Sequence, residues 1–174
     1  MSMMLSWPAI RPASRLVLLA AGLALSGCLN SEAPEPPAIA ELHSSVVVRL
    51  DPDEVRSRIS AYRQAHGLSA VTVDPALMAL AQSQANAMAS ANHLSHEIAG
   101  SLDHRLNASH HPKGYAVENV SAGYANADAA IAGWQRSPGH NANLLDTKMR
   151  RMGIAAADAP DTRFKTYWAL MMTD

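Results

Sequence analysis

Eight histidines are spread along this chain of 174 residues, and a few of them have neighbours whose types could do chemistry. In "HLSHE", His93 and His96 stand three apart with Glu97 beside them. On a continuing helix that spacing places both imidazoles on one face, loosely like a pair of metal ligands. The stretch lacks the HExxH pattern, which supplies two zinc ligands and a general base from a single helix. In "SPGHNANLLD", Ser137 stands three before His140, a spacing that suggests a hydroxyl and its base. A serine ahead of proline serves more commonly to turn the chain or end a helix, and helix capping is the simplest local account of His140. There is no GxSxG elbow, no phosphate-binding P-loop and no GxGxxG followed by an acid.

The elements that must hold these residues can be read from caps and periodicity. "LDPDEVRSRISAYRQAHGL" predicts a helix with Asp51 at the N-cap, Pro52 at the first position and acids in the first turn. Val55, Ile59 and Tyr62 recur at helical spacing, and Gly67 closes it. "DPALMALAQSQANAMASANHLSH" repeats the signature with Asp74 and Pro75 and carries a stripe of Leu77, Leu80 or Ala81, Ala85 and Met88. It predicts a long second helix whose alanines admit a close neighbour. A short helical turn is expected near "DHRL", and Val117 to Ala122 is expected to be extended or irregular. "NADAAIAGWQRS" predicts a third helix with Asp128 at its cap, which Pro138 must end. "RRMGIAAAD" and "FKTYWALMMTD", separated by the turn residues of "APDTR", predict an antiparallel pair of strands. Both alternating sets of "TYWALMM" are apolar, so that strand should be central and covered on both faces. Helices on both sides of a small sheet are implied.

Ahead of this domain, Arg11 and Arg15 flank an apolar run, "LVLLAAGLALSGC", too short to span a bilayer as a helix. It reads as a signal peptide over residues 1–27, ending in "LSGC", which resembles a bacterial lipobox. Cys28, the chain's single cysteine, becomes the lipidated first mature residue, and no disulfide framework is available. Two or more acyl chains make attachment to the bilayer stable. Leu29 is not the aspartate of an inner-membrane retention signal, so the expected location is the periplasmic side of the outer membrane if the host is Gram-negative. The Pro, Glu, Ala and Ser-rich stretch 28–45 reads as a flexible tether, reaching about 55 Å when fully extended. Residues 46–174 are the size of one domain. The chain carries 14 Lys+Arg against 15 Asp+Glu, and loss of the two leader arginines makes the remainder more acidic. No basic face advertises nucleic acid, and a monomer is expected.

Several stretches occur together in one family: "MASANHLSH", "ENVSAGY", "WQRSPGHNANLLD", "RRMGIAAA" and "YWALMM". In this order and spacing they make the chain resemble the bacterial branch of the CAP superfamily, named for cysteine-rich secretory, antigen 5 and pathogenesis-related 1 proteins. The resemblance covers about Asp51 to the end. It implies an α/β (α+β) fold, a three-layer α-β-α sandwich with a small, mainly antiparallel sheet. It also implies a cleft lined in many members by two histidines and two glutamates. The first histidine matches His96, the first glutamate Glu118 and the last histidine His140. Where the second glutamate would fall, this chain has Ser137. Asn119, Trp134, Pro138, Gly139, Asn143 and Gly153 read as turn, capping and packing residues, with Asn143 best placed to hold a loop by hydrogen bonds.

Three functions remain open on these residues. The first is a lipid-anchored binding module that offers its cleft to a lipid-like or cell-envelope ligand. In it, His96 and His140 could give a weak site for zinc or another divalent cation, and the family has been linked to sterol and fatty-acid binding. The second is a zinc-dependent hydrolase of envelope substrates with Glu118 as base, which the missing acid disfavours. The third is a structural interaction protein of the envelope, in which His96, Glu118 and His140 form only a hydrogen-bond network. The expectation carried forward is the first, with no catalytic residue assigned and enzymatic activity disfavoured.

Overall fold

The computed structural model describes residues 49–174 apart from residue 113. The leader, Cys28 and the tether lie outside the described residues. Helix α1 spans Pro52–Ala65, and the Asp51 carboxylate accepts the backbone N–H groups of Asp53 and Glu54. Strand β1, Thr72–Val73, leads into α2, Pro75–Ala91, where Asp74 caps Ala76 and Leu77 in the same way. In both helices proline sits where its missing N–H would have had no helical partner. Then follow α3 (Leu102–Ala108), β2 (Ala116–Ala122), α4 (Ala127–Arg136), α5 (Pro138–Leu144), β3 (Arg151–Ala159) and β4 (Lys165–Thr173).

The four strands form one sheet in the order β1-β3-β4-β2. β1 runs parallel to β3, while β3 with β4 and β4 with β2 are antiparallel. β4 lies inside, with Met171 opposite Gly153 on one side and Glu118 on the other. On one face Met152, Ile154, Trp168, Leu170 and Met172 meet Val55 and Ile59 of α1, Ile131 and Trp134 of α4 and Leu144 of α5. On the other, Ala155, Ala157, Tyr167 and Ala169 meet Ala81, Ala85 and Met88 of α2, and Met171 joins Leu77 and Leu106. The doubly apolar pattern of β4 is therefore met by a helical layer on each side, as an α-β-α sandwich requires. Small side chains on both α2 and β3 bring these two elements close.

Arg63 fastens the α1 layer. It is wholly buried, and its guanidinium donates to the carbonyls of Ser69, Leu144, Asp146 and Met149 at 2.7–3.0 Å. Burial pushes its pKa down from the usual arginine value, and Arg150 adds to this. The carbonyls just past α5 are held by it, so α1 positions the helix that carries His140.

The structure departs from the sequence expectations at four places. α2 does not continue through His93 and His96: it stops at Ala91, with Asn92 in the left-handed region at φ 47°. The cap of α4 is Asn126, which accepts the Ala129 N–H, whereas Asp128 lies in the first turn and pairs with Arg58 at 3.0 Å. Pro138 ends α4 and also opens α5, so His140 sits inside a first turn and does not cap a helix. The pairing of Thr72 and Val73 with Arg151 and Met152 adds a parallel edge strand that the pattern did not announce.

Candidate functional site

Among the described residues β2 has a strand neighbour on one side only, and side chains of α3 and α5 both reach it at Glu118. Successive strand residues face opposite ways. Glu118 therefore turns toward the side of α2 and α3, and Asn119 toward α5. Each is met by groups from its own layer.

On the first side, the left-handed turn at Asn92 releases the chain from α2 into a loop that brings His96 back to the strand. His96 Nδ1 lies 2.8 Å from Glu118 Oε2. Arg105 of α3 donates from Nη1 to Glu118 Oε1 at 2.9 Å, from Nη2 to the His96 carbonyl at 3.1 Å and from Nε to the Gly100 carbonyl at 2.8 Å. The Glu118 and Arg105 side chains are only 3% and 4% exposed, whereas that of His96 is 53% exposed. The buried carboxylate is thus fully engaged, while the imidazole it orients reaches solvent. With Nδ1 committed to the carboxylate, Nε2 is the nitrogen left for a ligand.

On the second side, Asn119 Nδ2 donates to the His140 carbonyl at 3.1 Å. Asn143 Nδ2 donates to the Glu118 carbonyl at 3.0 Å and to Asn119 Oδ1 at 2.8 Å. Tyr62 of α1 adds a hydroxyl bond to Asn141 Oδ1 at 2.9 Å. Backbone groups at a strand edge need partners when they are buried, and Asn143 supplies one at Glu118. Asn143 thus holds a loop, as expected, and α5 is docked by amides on both of its ends.

The His140 ring is half-buried, and this burial lowers its pKa below the ordinary 6.5, with the neighbouring His96 lowering it further. Neutral imidazole is thereby favoured in the fold. Because the folded value lies below the unfolded one, the unfolded chain binds more protons in the window between them, and stability falls as pH drops below 6.5 toward the folded value. An NMR titration of the imidazole protons is expected to place the His140 midpoint below 6.5 and to move it partly back up in His96→Ala. A midpoint at or above the ordinary value contradicts this geometry.

The structure joins His96 directly to Glu118, places His140 close enough for its charge state to feel His96, and holds Asn119 and Asn143 between them. Ser137 caps α5 by position only, since its side chain makes no cap bond. His93 and Glu97 are exposed and outside the network. Arg105 is the member of this network that sequence reasoning missed. The fit of the cleft to a divalent cation can be judged on the donor set. Both Glu118 oxygens are engaged, serine stands where a second acid would be, and only His96 Nε2 and the His140 ring remain. Among the described residues no group of three or more His, Cys, Asp or Glu side chains could hold a metal ion. Zinc sites use three or four protein ligands, so these residues do not fit a tightly held cation.

An α-β-α sandwich whose open strand edge carries a histidine–glutamate pair, faced by a second histidine, is a CAP-type architecture. The chain belongs to the cysteine-rich secretory protein family, whose CAP model matches residues 56–172. It is 26% identical over 127 residues to the uncharacterized membrane protein YlbC of Bacillus subtilis strain 168, covering 72% of this chain and 37% of that protein. Among solved structures, it is similar to an extracellular protein containing a SCP domain from Bacillus anthracis strain Ames, with 24% identity and TM-score 0.60, over 72% of this chain and 45% of that one. An outer surface protein from Borrelia burgdorferi matches with 18% identity and TM-score 0.63, over 72% of this chain and 96% of that one. At these identities the structural likeness carries the fold. The chain spans well under half the length of the B. subtilis relative.

Proposed function

We propose that this protein is an extracytoplasmic, lipid-anchored CAP domain that binds a small lipid-like or cell-envelope ligand at the cleft beside His96. The observation that carries the reading is the composition of one loop. His96 offers a solvent-facing imidazole, and Leu94 and Ile98 on either side of it are, among the described residues, two of the few large apolar side chains left exposed, at 43% and 37%. A polar anchor edged by apolar surface suits an amphipathic molecule with a hydrogen-bonding head. The extracellular, outer-surface and membrane descriptions of the similar proteins support an envelope setting, and Cys28 with the tether would supply the bilayer attachment. If the host is Gram-negative, the absence of an aspartate at Leu29 favours the periplasmic side of the outer membrane.

The arrangement gives the hydrolase reading less support. Glu118 is buried and each of its oxygens already accepts from a guanidinium or an imidazole, so an attacking water has poor access to it. A divalent cation offered to the cleft would meet His96 Nε2 and the His140 ring alone, which is a weak site.

Native mass spectrometry of protein released from its own membranes, followed by titration with decanoate and short-chain phospholipids, tests the ligand reading. A bound lipid-like species is expected, with affinity falling about tenfold or more in Leu94→Ser/Ile98→Ser, a loss of about 1.4 kcal/mol or more. Protein that carries no such species and binds none of the panel would end the proposal.

A further inference from the structure

We propose that the groove between the outer face of α2 and the open edge of β3 is a second binding site, which takes an extended peptide carrying a cationic side chain. The groove is about 640 Å³, and none of its lining residues belongs to the network around Glu118. It exists because β1 is so short. β1 pairs with Arg151 and Met152 only, so the remainder of β3 has no strand neighbour on that side among the described residues. The carbonyls of Arg150 and Met152 accept from Thr72 and Asp74 on this side, and the strand period of two carries that direction on to Ile154 and Ala156. Met78 Sδ covers the Ile154 N–H at 3.2 Å and Ile154 is wholly buried, so the accessible edge begins at Ala156. The Ala156 carbonyl accepts from Gln82 Nε2 at 3.2 Å and keeps a second lone pair.

The walls suit an extended chain. Gln82, Asn86 and Ser90 stand four apart on α2 and all three are exposed. A helix rises about 6 Å over four residues, and alternate residues of a strand lie about 6.6 Å apart. This row of two amides and a hydroxyl therefore keeps step with every second residue of a strand laid beside β3. Ala89 and Ala156 carry only methyl groups, which lets a backbone approach. The groove ends at Asp158 and Asp161, the ionisable side chains that line it among the described residues. The cations of the same turn are engaged elsewhere: Lys165 Nζ donates to the Pro160 carbonyl, and Arg163 lies over the Phe164 ring. A cationic side chain at that end meets complementary charge. A second copy of this chain would instead crowd both pairs of carboxylates into one interface, and no aromatic ring lines the groove to stack a sugar. Main-chain hydrogen bonds at the strand edge then supply affinity and the acids supply selection, which is the logic of strand addition. This site is separate from the ligand reading at His96 and does not depend on it.

NMR titration of the isotope-labelled full chain tests the site, with two blocked hexapeptide libraries that differ in having lysine or glutamate at one fixed position. The lysine library is expected to move the Ala156 amide signal and the side-chain amide signals of Gln82 and Asn86. It should bind at least about threefold more tightly than the glutamate library. Asn86→Arg, at an exposed helix position, should abolish the response with the circular dichroism spectrum unchanged, and a folded variant that keeps the response overturns the proposal. Should that variant fail to fold, Asp161→Asn in the exposed turn decides. There the preference for lysine should shrink to below about twofold, and an unchanged preference overturns the proposal. Groove signals that neither library moves overturn it, as does equal binding of the two. Shifts centred on His96 and Leu94 do so as well, since they would assign the peptide to the cleft.

Discussion

Gly153→Ala is expected to cost the domain about 3 kcal/mol or more, at the upper end of what overpacking costs. The reason is the kind of atom that a new methyl group would meet. Gly153 lies in β3 beneath the first turn of α2, and a Cβ there would overlap the carbonyl group of Leu77 and the amide nitrogen of Met78. These are backbone atoms of a helix and cannot swing away as a flexible side chain could. Relief would require α2 to move as a body, yet its start is fastened. The Asp74 N–H donates to the Met152 carbonyl at 2.8 Å, Asp74 pairs with Arg151 at 3.5 Å, and the Ile154 N–H reaches Met78 Sδ at 3.2 Å. A shift of α2 would also displace the Asn92 turn and with it His96. Urea unfolding followed by circular dichroism measures the loss, and a cost below about 1 kcal/mol would show that α2 can yield after all. Gly133→Ala makes a useful contrast, since the neighbour in its way is the hydroxyl end of the Tyr124 side chain.

The same contrast between backbone and side chain explains which parts of the fold could be read in advance. Asp51-Pro52 and Asp74-Pro75 announce their helices because a cap and a proline act within three residues. The strands are legible in "RRMGIAAAD" and "FKTYWALMMTD" because burial on both faces writes a continuous apolar run. The end of α2 is less legible. "ASANHL" holds no glycine or proline, and only the tolerance of asparagine for the left-handed region, with its N–H turned back to Ala89 and Met88, stops the helix there. At α4 the sequence pointed to Asp128 as the cap, two residues beyond the Asn126 that takes it. The longer-range ion pair with Arg58 engages Asp128, leaving the cap to Asn126. β1 is two residues long and exists only through its partner β3, so no local pattern could reveal it.

The site divides along the same line. His96, Glu118 and His140 stand in motifs whose order along the chain is itself the signal. Arg105 stands in "DHRL", a short helix like many others, and its meaning comes from a contact made across 13 residues of chain with a carboxylate on a strand edge. A charge balance could have raised the question, because a buried glutamate almost always has a partner. It could not have chosen Arg105 over the other arginines. Within this chain the pair balances itself, one buried carboxylate against one buried guanidinium.

Glu118→Ala is expected to destabilise the domain by about 3–5 kcal/mol, because it leaves Arg105 charged, buried and without its counter-ion. With both side chains nearly inaccessible, water cannot screen the stranded charge as it would at the surface. The cost belongs mainly to that stranded charge and less to the lost attraction, and a double-mutant cycle separates the two. Arg105→Met/Glu118→Leu removes both charges and fills the space with apolar atoms, and it should recover most of the loss. His140→Ala, at a half-exposed ring, should cost far less than Glu118→Ala. If the double variant were as unstable as Glu118→Ala, the pair would be contributing to the fold through its carbonyl and imidazole bonds and not through charge balance.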